Sequence, residues 1–301
     1  MANISNLNID GVAHKIGTSI TTVGSGDILV GYFADSACTK EIKSVNDLIG
    51  AMESASIYKK LFNPSGVSWA SGSDADIEAM LAAAYSGAIS LSDYWNVGDS
   101  RTVTIQSMAA TGVGESHVAQ EVDIVIQDLA PSYTADDGTA PKLLWGLKDA
   151  LKEAGYMNSS DTNNGGWDSC ARRTWCNNVF YPALPELFRK LTKTVNVVAA
   201  NGSSTTTATS KDKCFLLAEK EIFGSTSYAN ATAEAGLKQV PYYATTSNRV
   251  KKLGKGGSAG LWWERSPYSG VSDSFCRVYS GGSAGNGSAS GAYGLAPCGC
   301  F

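Results

Sequence analysis

The chain has 301 residues, enough for two or three small domains or one large one. Charged residues make up 17% and hydrophobic residues 43%, so a sizeable core can be buried; the net charge of −4 comes with no basic stripe, which excludes duplex nucleic acid as an expected partner. No apolar run reaches the ~18–20 residues of a membrane span, so no membrane insertion is expected, and residues 1–19 lack the charged and apolar regions of a secretory leader.

Residues 1–30 are polar, and residues 28–33 then read as a strand. Helical spacing comes next over 44–60, with Val45, Leu48, Ile49, Met52 and Ile57 on one side. A second helix is expected over 74–86, with Asp74 and Asp76 in its first turn and Ile77, Met80, Leu81 and Ala84 as its apolar stripe. No catalytic constellation appears in this part. Residues 1–94 read as an N-terminal attachment or oligomerisation module.

The pattern changes at Trp95. Residues 101–105 and 118–129 alternate as strands, joined through the Gly-rich loop 111–116 into a hairpin-like unit. A helix is expected over 142–154 with Gly155 as its C-cap, then a polar loop over 158–167. Asp168 suits the N-cap of a short helix through Cys176. Further along come a helical turn at 186–191, a strand at 195–198, a Ser/Thr loop at 201–211 and a buried strand at 214–217. Residues 224–260 read as mostly loop, and Trp262 begins the last segment. The expected class is α+β, with short strands and long loops in one domain over 95–301.

Seven cysteines occur, Cys38, Cys170, Cys176, Cys214, Cys276, Cys298 and Cys300, an odd number at irregular spacing. Buried thiols are expected rather than a disulfide framework, and two histidines, His14 and His117, give little for a Cys/His metal site. Asp161 lies in an Asn-rich loop without EF-hand spacing, so no metal is expected there, and no cofactor is expected anywhere. No Gly-x-Ser-x-Gly elbow is present; Glu219 with Glu221 and Asp136 with Asp137 are the carboxylate pairs of glycosidase type. The expectation is a protein that is not an enzyme.

Four blocks stand in order: Trp95-Asn-Val-Gly-Asp99; Met157 to Trp167 with Arg172-Arg173-Thr174-Trp175; Cys214 to Glu219 with Glu221; and Trp262-Trp-Glu-Arg-Ser-Pro267 ending in Gly294-Leu-Ala-Pro297. Together they resemble the C-type lectin-like variable proteins of diversity-generating retroelements, which share the fold of formylglycine-generating enzymes and occur in phage tail and gut-bacterial surface proteins. The resemblance implies a C-type lectin-like domain at 95–301 with a variable region at about 262–301, rewritten at adenines. It implies receptor binding in host recognition, on a virion tail or a bacterial cell surface. The implied ligand is a bacterial cell-surface protein or glycan. The implied partners are other tail proteins and two further copies in a homotrimer, which would supply avidity. Its alternatives are an undiversified structural tail or surface protein and an oxidase using Cys298 and Cys300.

One feature speaks to rewriting from the residues themselves. An Asn codon altered at its adenines cannot yield Lys, Glu, Gln, Met or Trp, and residues 268–298 contain none of the five. These types number 44 of 301 in the chain, so a window of 31 would hold roughly four or five. A plain Ser/Gly-rich loop gives the same absence. Within the window, Tyr268, Ser269, Ser272, Asp273, Arg277, Tyr279, Ser283, Asn286, Ser288 and Tyr293 are the candidate ligand-binding residues, because rigid Tyr and adaptable Ser and Asn suit a display surface. In a strand, Arg277 and Tyr279 would point outward together and Val278 inward. Trp262, Trp263, Glu264 and Arg265 read as framework, with Glu264 or Arg265 paired internally to a group such as Arg172 or Glu219; Arg172, Arg173 and Trp175 read as framework too.

Overall fold

Two hydrophobic periodicities, 3.6 and 2, organise the chain. The computed structural model describes residues 6–9, 12–15 and 66–301. The strand expected at 28–33, the helix at 44–60 and Cys38 lie outside the described residues. The architecture is α+β, and every ladder between its named strands is antiparallel. Asn6–Ile9 (β1) and Val12–Lys15 (β2) form a hairpin within a stretch that reads as merely polar.

Asp74–Tyr85 is helix α1, as its spacing predicts. Ser73 and Asp76 close a capping box at its start, and Ile77, Met80, Leu81, Ala83 and Ala84 are buried. This helix does not stand apart from the C-terminal part of the chain. Trp69 Nε1 donates to Ile124 O at 3.3 Å, Trp95 Nε1 donates to Val67 O at 2.9 Å, and the Trp69 ring meets Phe188 and Phe301. Residues 67–95, on which the expected boundary at 94 falls, thus share one aromatic core with the C-terminus.

Ser100–Ile105 (β3) and Gln120–Asp128 (β4) pair with Ser100 opposite Val125 and Ile105 opposite Gln120, the hairpin that the alternation predicts. Leu144–Leu147 (β5) lies beside β4. The helix expected over 142–154 is therefore absent. The run Leu143, Leu144, Trp145 and Leu147 is wholly buried, and a short apolar run does not distinguish an interior strand from a buried helix. Gly155 is not a cap: its N–H donates to Tyr293 O, and a Cβ there would collide with the Arg172 guanidinium. The sheet order is completed by Cys298–Cys300 (β13) on the far side of β5. Gly299 sits opposite Trp145, where a Cβ would lie 2.6 Å from the indole. The tight Cys-Gly-Cys spacing is thus a strand that gives up a side chain to seat a tryptophan.

Ala171–Trp175 (α2) continues into a π-type turn. Its N-cap is Cys170 without a side-chain bond, so Asp168 does not cap it; Asp168 lies 3.5 Å from Arg173 instead. Glu186–Leu191 (α3) forms as expected. Val195–Ala200 (β6) pairs with Thr207–Asp212 (β7), which corrects the Ser/Thr loop expected at 201–211. Cys214–Leu217 is buried as expected but not a strand; it makes one bridge, Phe215 to Cys298. Glu219–Phe223 (α4) ends on Gly224 at φ +76°. Lys251–Lys252 (β8) and Ala259–Gly260 (β9) form a small ribbon. The last sheet is Trp262–Pro267 (β10), Ser274–Val278 (β11) and Ala284–Ser288 (β12), in that order.

Candidate ligand-binding face

All six residues of β10 are buried. On β11, Phe275, Cys276 and Val278 are fully buried and Arg277 is partly exposed; Tyr279, just past the strand, is 40% exposed. Val278 is enclosed between the less buried Arg277 and Tyr279 as expected, but Phe275, on the side of Arg277, is enclosed too. The β11–β12 register puts Arg277 opposite Gly285 and Phe275 opposite Gly287, so their cross-strand neighbours on β12 carry no side chain, while on β10 Arg277 stands opposite Trp263. The space is filled by rings. A Cβ on Gly285 would collide with the Tyr279 ring, and one on Gly287 would lie 2.7 Å from Tyr293 and 3.2 Å from Arg277 Nη1. Arg277 stands 5.1 Å from the Tyr279 ring centre and 4.2 Å from that of Tyr293, within cation–π range of both. Its Nε is buried without a hydrogen-bond partner.

The other candidates do not join this cluster. The same register sets Asn286 opposite Cys276 and Ser288 opposite Ser274, on the other side of the sheet. Ser288 Oγ and Ser290 Oγ both donate to Asp161, whose carboxyl they hold below the usual range. Tyr268, Ser269, Ser272 and Asp273 lie in the β10–β11 loop, which is clamped from below. Fully buried Asn163 donates through Nδ2 to the carbonyls of Tyr268, Val271 and Ser274, and Ser272 O accepts from Asn163 N–H. Tyr268 packs its ring on Tyr228 at 5.7 Å, and Ser269 donates to Tyr228 O. Ser283 is exposed in the β11–β12 turn, where its carbonyl accepts from Tyr279 N–H. The ten residues thus fall in four places, the cluster, the far side of the sheet, the β10–β11 loop and the β11–β12 turn, because strand register separates residues that are close along the chain. Asn163, the residue that shapes the loop, carries no sequence signal beyond lying in an Asn-rich stretch.

Arg265 on β10 centres a buried ionic node. Arg265 Nη1 bonds Glu221 Oε2 at 2.5 Å and Leu216 O at 3.0 Å, and Nε donates to Val198 O. Burial alone would pull this guanidinium down, but the Glu221 carboxylate more than offsets it and holds Arg265 above the usual arginine range. Glu221 also accepts from Tyr133 Oη and from Ala218 N–H. Glu219 accepts from the N–H groups of Tyr228 and Ala229, which fixes the segment that pairs with Tyr268. Glu264 is buried with neither carboxyl oxygen partnered; burial, with Glu219 and Glu234 near it, pushes its carboxyl well above the usual value. Internal pairing holds for Arg265, though with Glu221 rather than Glu219, and fails for Glu264. Arg172 serves elsewhere: its Nε donates to Tyr156 O, and its plane lies 4.6 Å from the Trp175 ring centre.

A family model for a domain of unknown function, DUF6273, matches residues 143–300. The chain belongs to the DUF6273 family. No curated protein matches it, and no solved structure does. The DUF6273 region starts just before β5 and ends with β13, so it holds half of the four-stranded sheet. Residues 100–128 supply β3 and β4, and close packing joins the halves: a Cβ on Gly146 would collide with the Gln127 amide.

Chemistry-bearing residues in and around the DUF6273 region are mostly enclosed. Cys298 and Cys300 are buried, and burial pushes both thiols well up; Cys298 Sγ donates to Phe215 O at 3.2 Å. Burial lowers His117, whose Nδ1 lies 3.2 Å from Glu153 Oε2 without hydrogen-bond geometry. Asp136 pairs with Lys211 and Asp137 with Lys193. Among the described residues no group of three His, Cys, Asp or Glu side chains could hold a metal ion.

Proposed function

We propose that the chain is a non-enzymatic receptor-binding protein with a C-type lectin-like fold, which presents the Arg277–Tyr279–Tyr293 cluster to a ligand on a bacterial surface. The observation that carries this reading is the construction of the cluster. A cation with no carboxylate among the described residues lies in cation–π range of two rings, at the one partly exposed position of a strand whose other residues are buried, over glycines that leave the rings their space. Aromatic and Arg side chains fixed on a rigid sheet are the composition of binding hot spots. The buried thiols and the paired acids support a scaffold role for the groups an enzyme would use. Phage tail host recognition, trimeric assembly and diversification by a retroelement belong to the same reading and rest on the resemblance of the four blocks.

Two measurements test it. Labelled protein should adhere to some members of a panel of bacterial cells, and the double variant Arg277→Ala/Tyr279→Ala should lose that adhesion; undiminished adhesion removes the face from the reading. The DNA beside the gene should carry a near-copy of codons 262–301 that differs only at the copy's adenines, next to a reverse-transcriptase frame. Its absence leaves a surface protein with a fixed ligand.

A further inference from the structure

The nature of the ligand is set by what Arg277 lacks. It is the only cationic side chain after Arg265. Among the described residues its side chain makes no ion pair and no hydrogen bond, and its guanidinium lies within cation–π range of two tyrosine rings. Rings stabilise the charge but leave the planar fork of N–H donors unused, and that fork matches a carboxylate in two parallel bonds. The rings also exclude water from one side, which strengthens pairing with an incoming anion. The chain as a whole carries −4, so a general field does not draw anions to it. Attraction has to be local.

The surroundings narrow the class further. Residues 279–285, Tyr-Ser-Gly-Gly-Ser-Ala-Gly, offer aromatic and hydroxyl groups and no aliphatic side chain larger than alanine. Such a surface suits a polar ring with many hydroxyls better than the mixed side chains of an acidic peptide. Tyr279, lying across Gly285 and 40% exposed, gives the C–H face of a pyranose something to pack on. We propose that the Arg277–Tyr279–Tyr293 cluster binds a carboxylate-bearing sugar of a surface glycan, a uronic or nonulosonic acid, with the carboxylate on the Arg277 fork and the sugar ring against Tyr279. This inference rests on the receptor-binding function proposed for the cluster.

The test uses the full chain against immobilised oligogalacturonate and polysialic acid, each beside its carboxyl-reduced form, with poly-glutamate as the peptide arm. At least one acidic saccharide should bind, its reduced form at least ten-fold more weakly, and binding should fall as salt is raised. Arg277→Ala should weaken it at least ten-fold, and Arg277→Lys, which keeps the charge and loses the fork, should fall between. Equal binding to the reduced form, no loss in Arg277→Ala, or poly-glutamate binding as tightly as either saccharide overturns the inference. If cells lose adhesion to the double variant while neither saccharide binds the wild type, the sugar assignment fails and the binding face stands. If adhesion survives the double variant, the face itself fails.

Discussion

Arg265 on β10 and Arg277 on β11 belong to paired strands, yet one guanidinium is enclosed by a carboxylate and two carbonyls and the other by two tyrosine rings. The first has met its hydrogen-bonding needs inside the protein, except at Nη2, and leaves nothing for a ligand. The second is stabilised as a charge but not as a donor. Burial explains the split: β10, with β6 and the α4 region packed on it, is buried at every position, while β11 has one open position in five. A charge that folding itself satisfies holds structure. A charge left with donors unused at a surface is available for recognition.

The comparison breaks most visibly if the buried partner is removed. Arg265→Ala leaves the Glu221 carboxylate without its cation in the interior. The expected loss is about 3–5 kcal/mol, since an unpaired buried charge keeps its desolvation penalty. Chemical denaturation measures it. A loss as small as that of an exposed substitution would mean that the node does not anchor the sheet.

How much of this is legible in the sequence depends on what kind of signal each residue sends. The alternation of β3 and β4 and the stripe of α1 are periodic, and periodic signals survive folding because one face must be buried. The strand β5 reads as a helix because an interior strand loses its alternation. The strand β7 escapes notice because Thr207–Asp212 reads as a polar loop until β6 is seen beside it. Alternation alone places Arg277 and Tyr279 correctly. Their separation from Asn286 and Ser288 is not legible, because register depends on which residue opposes which across the turn. Glu264 looks like half of an ion pair in the Trp-Trp-Glu-Arg block; only its neighbours Glu219 and Glu234, distant in sequence, show why it has none.

Glu264 sharpens the contrast through pH. In the folded chain it stays protonated well above 4.5, whereas an unfolded Glu ionises near that value. The unfolded state therefore releases this proton first as pH rises. The contribution of Glu264 is full below about 4.5 and is lost progressively as pH climbs towards and through the folded value. Glu264→Gln removes the titration and keeps the shape. Its stability should match the wild type at acidic pH to within about 1 kcal/mol, and its advantage should grow as pH rises. Melting temperatures of the two proteins over an acidic-to-neutral series read this directly. A constant offset at every pH would show that Glu264 titrates in the folded state as it does in the unfolded chain.

The smallest expected effect on stability carries the sharpest statement about the face. The two rings beside Arg277 are not equivalent. Tyr293 packs on Trp263 at 4.7 Å between centroids and against the core, and its backbone pairs with Gly155. Tyr293→Ala removes scaffold, at roughly 1–3 kcal/mol for a partly buried aromatic. Tyr279 lies against Gly285 and Arg277 and is 40% exposed. Tyr279→Ala gives up one cation–π contact and little area, so its cost should stay below about 1 kcal/mol while adhesion falls as it does for Arg277→Ala. A full-sized stability loss in Tyr279→Ala would return both rings to the core and leave Arg277 as another interior charge, differing from Arg265 only in the chemistry of its neighbours.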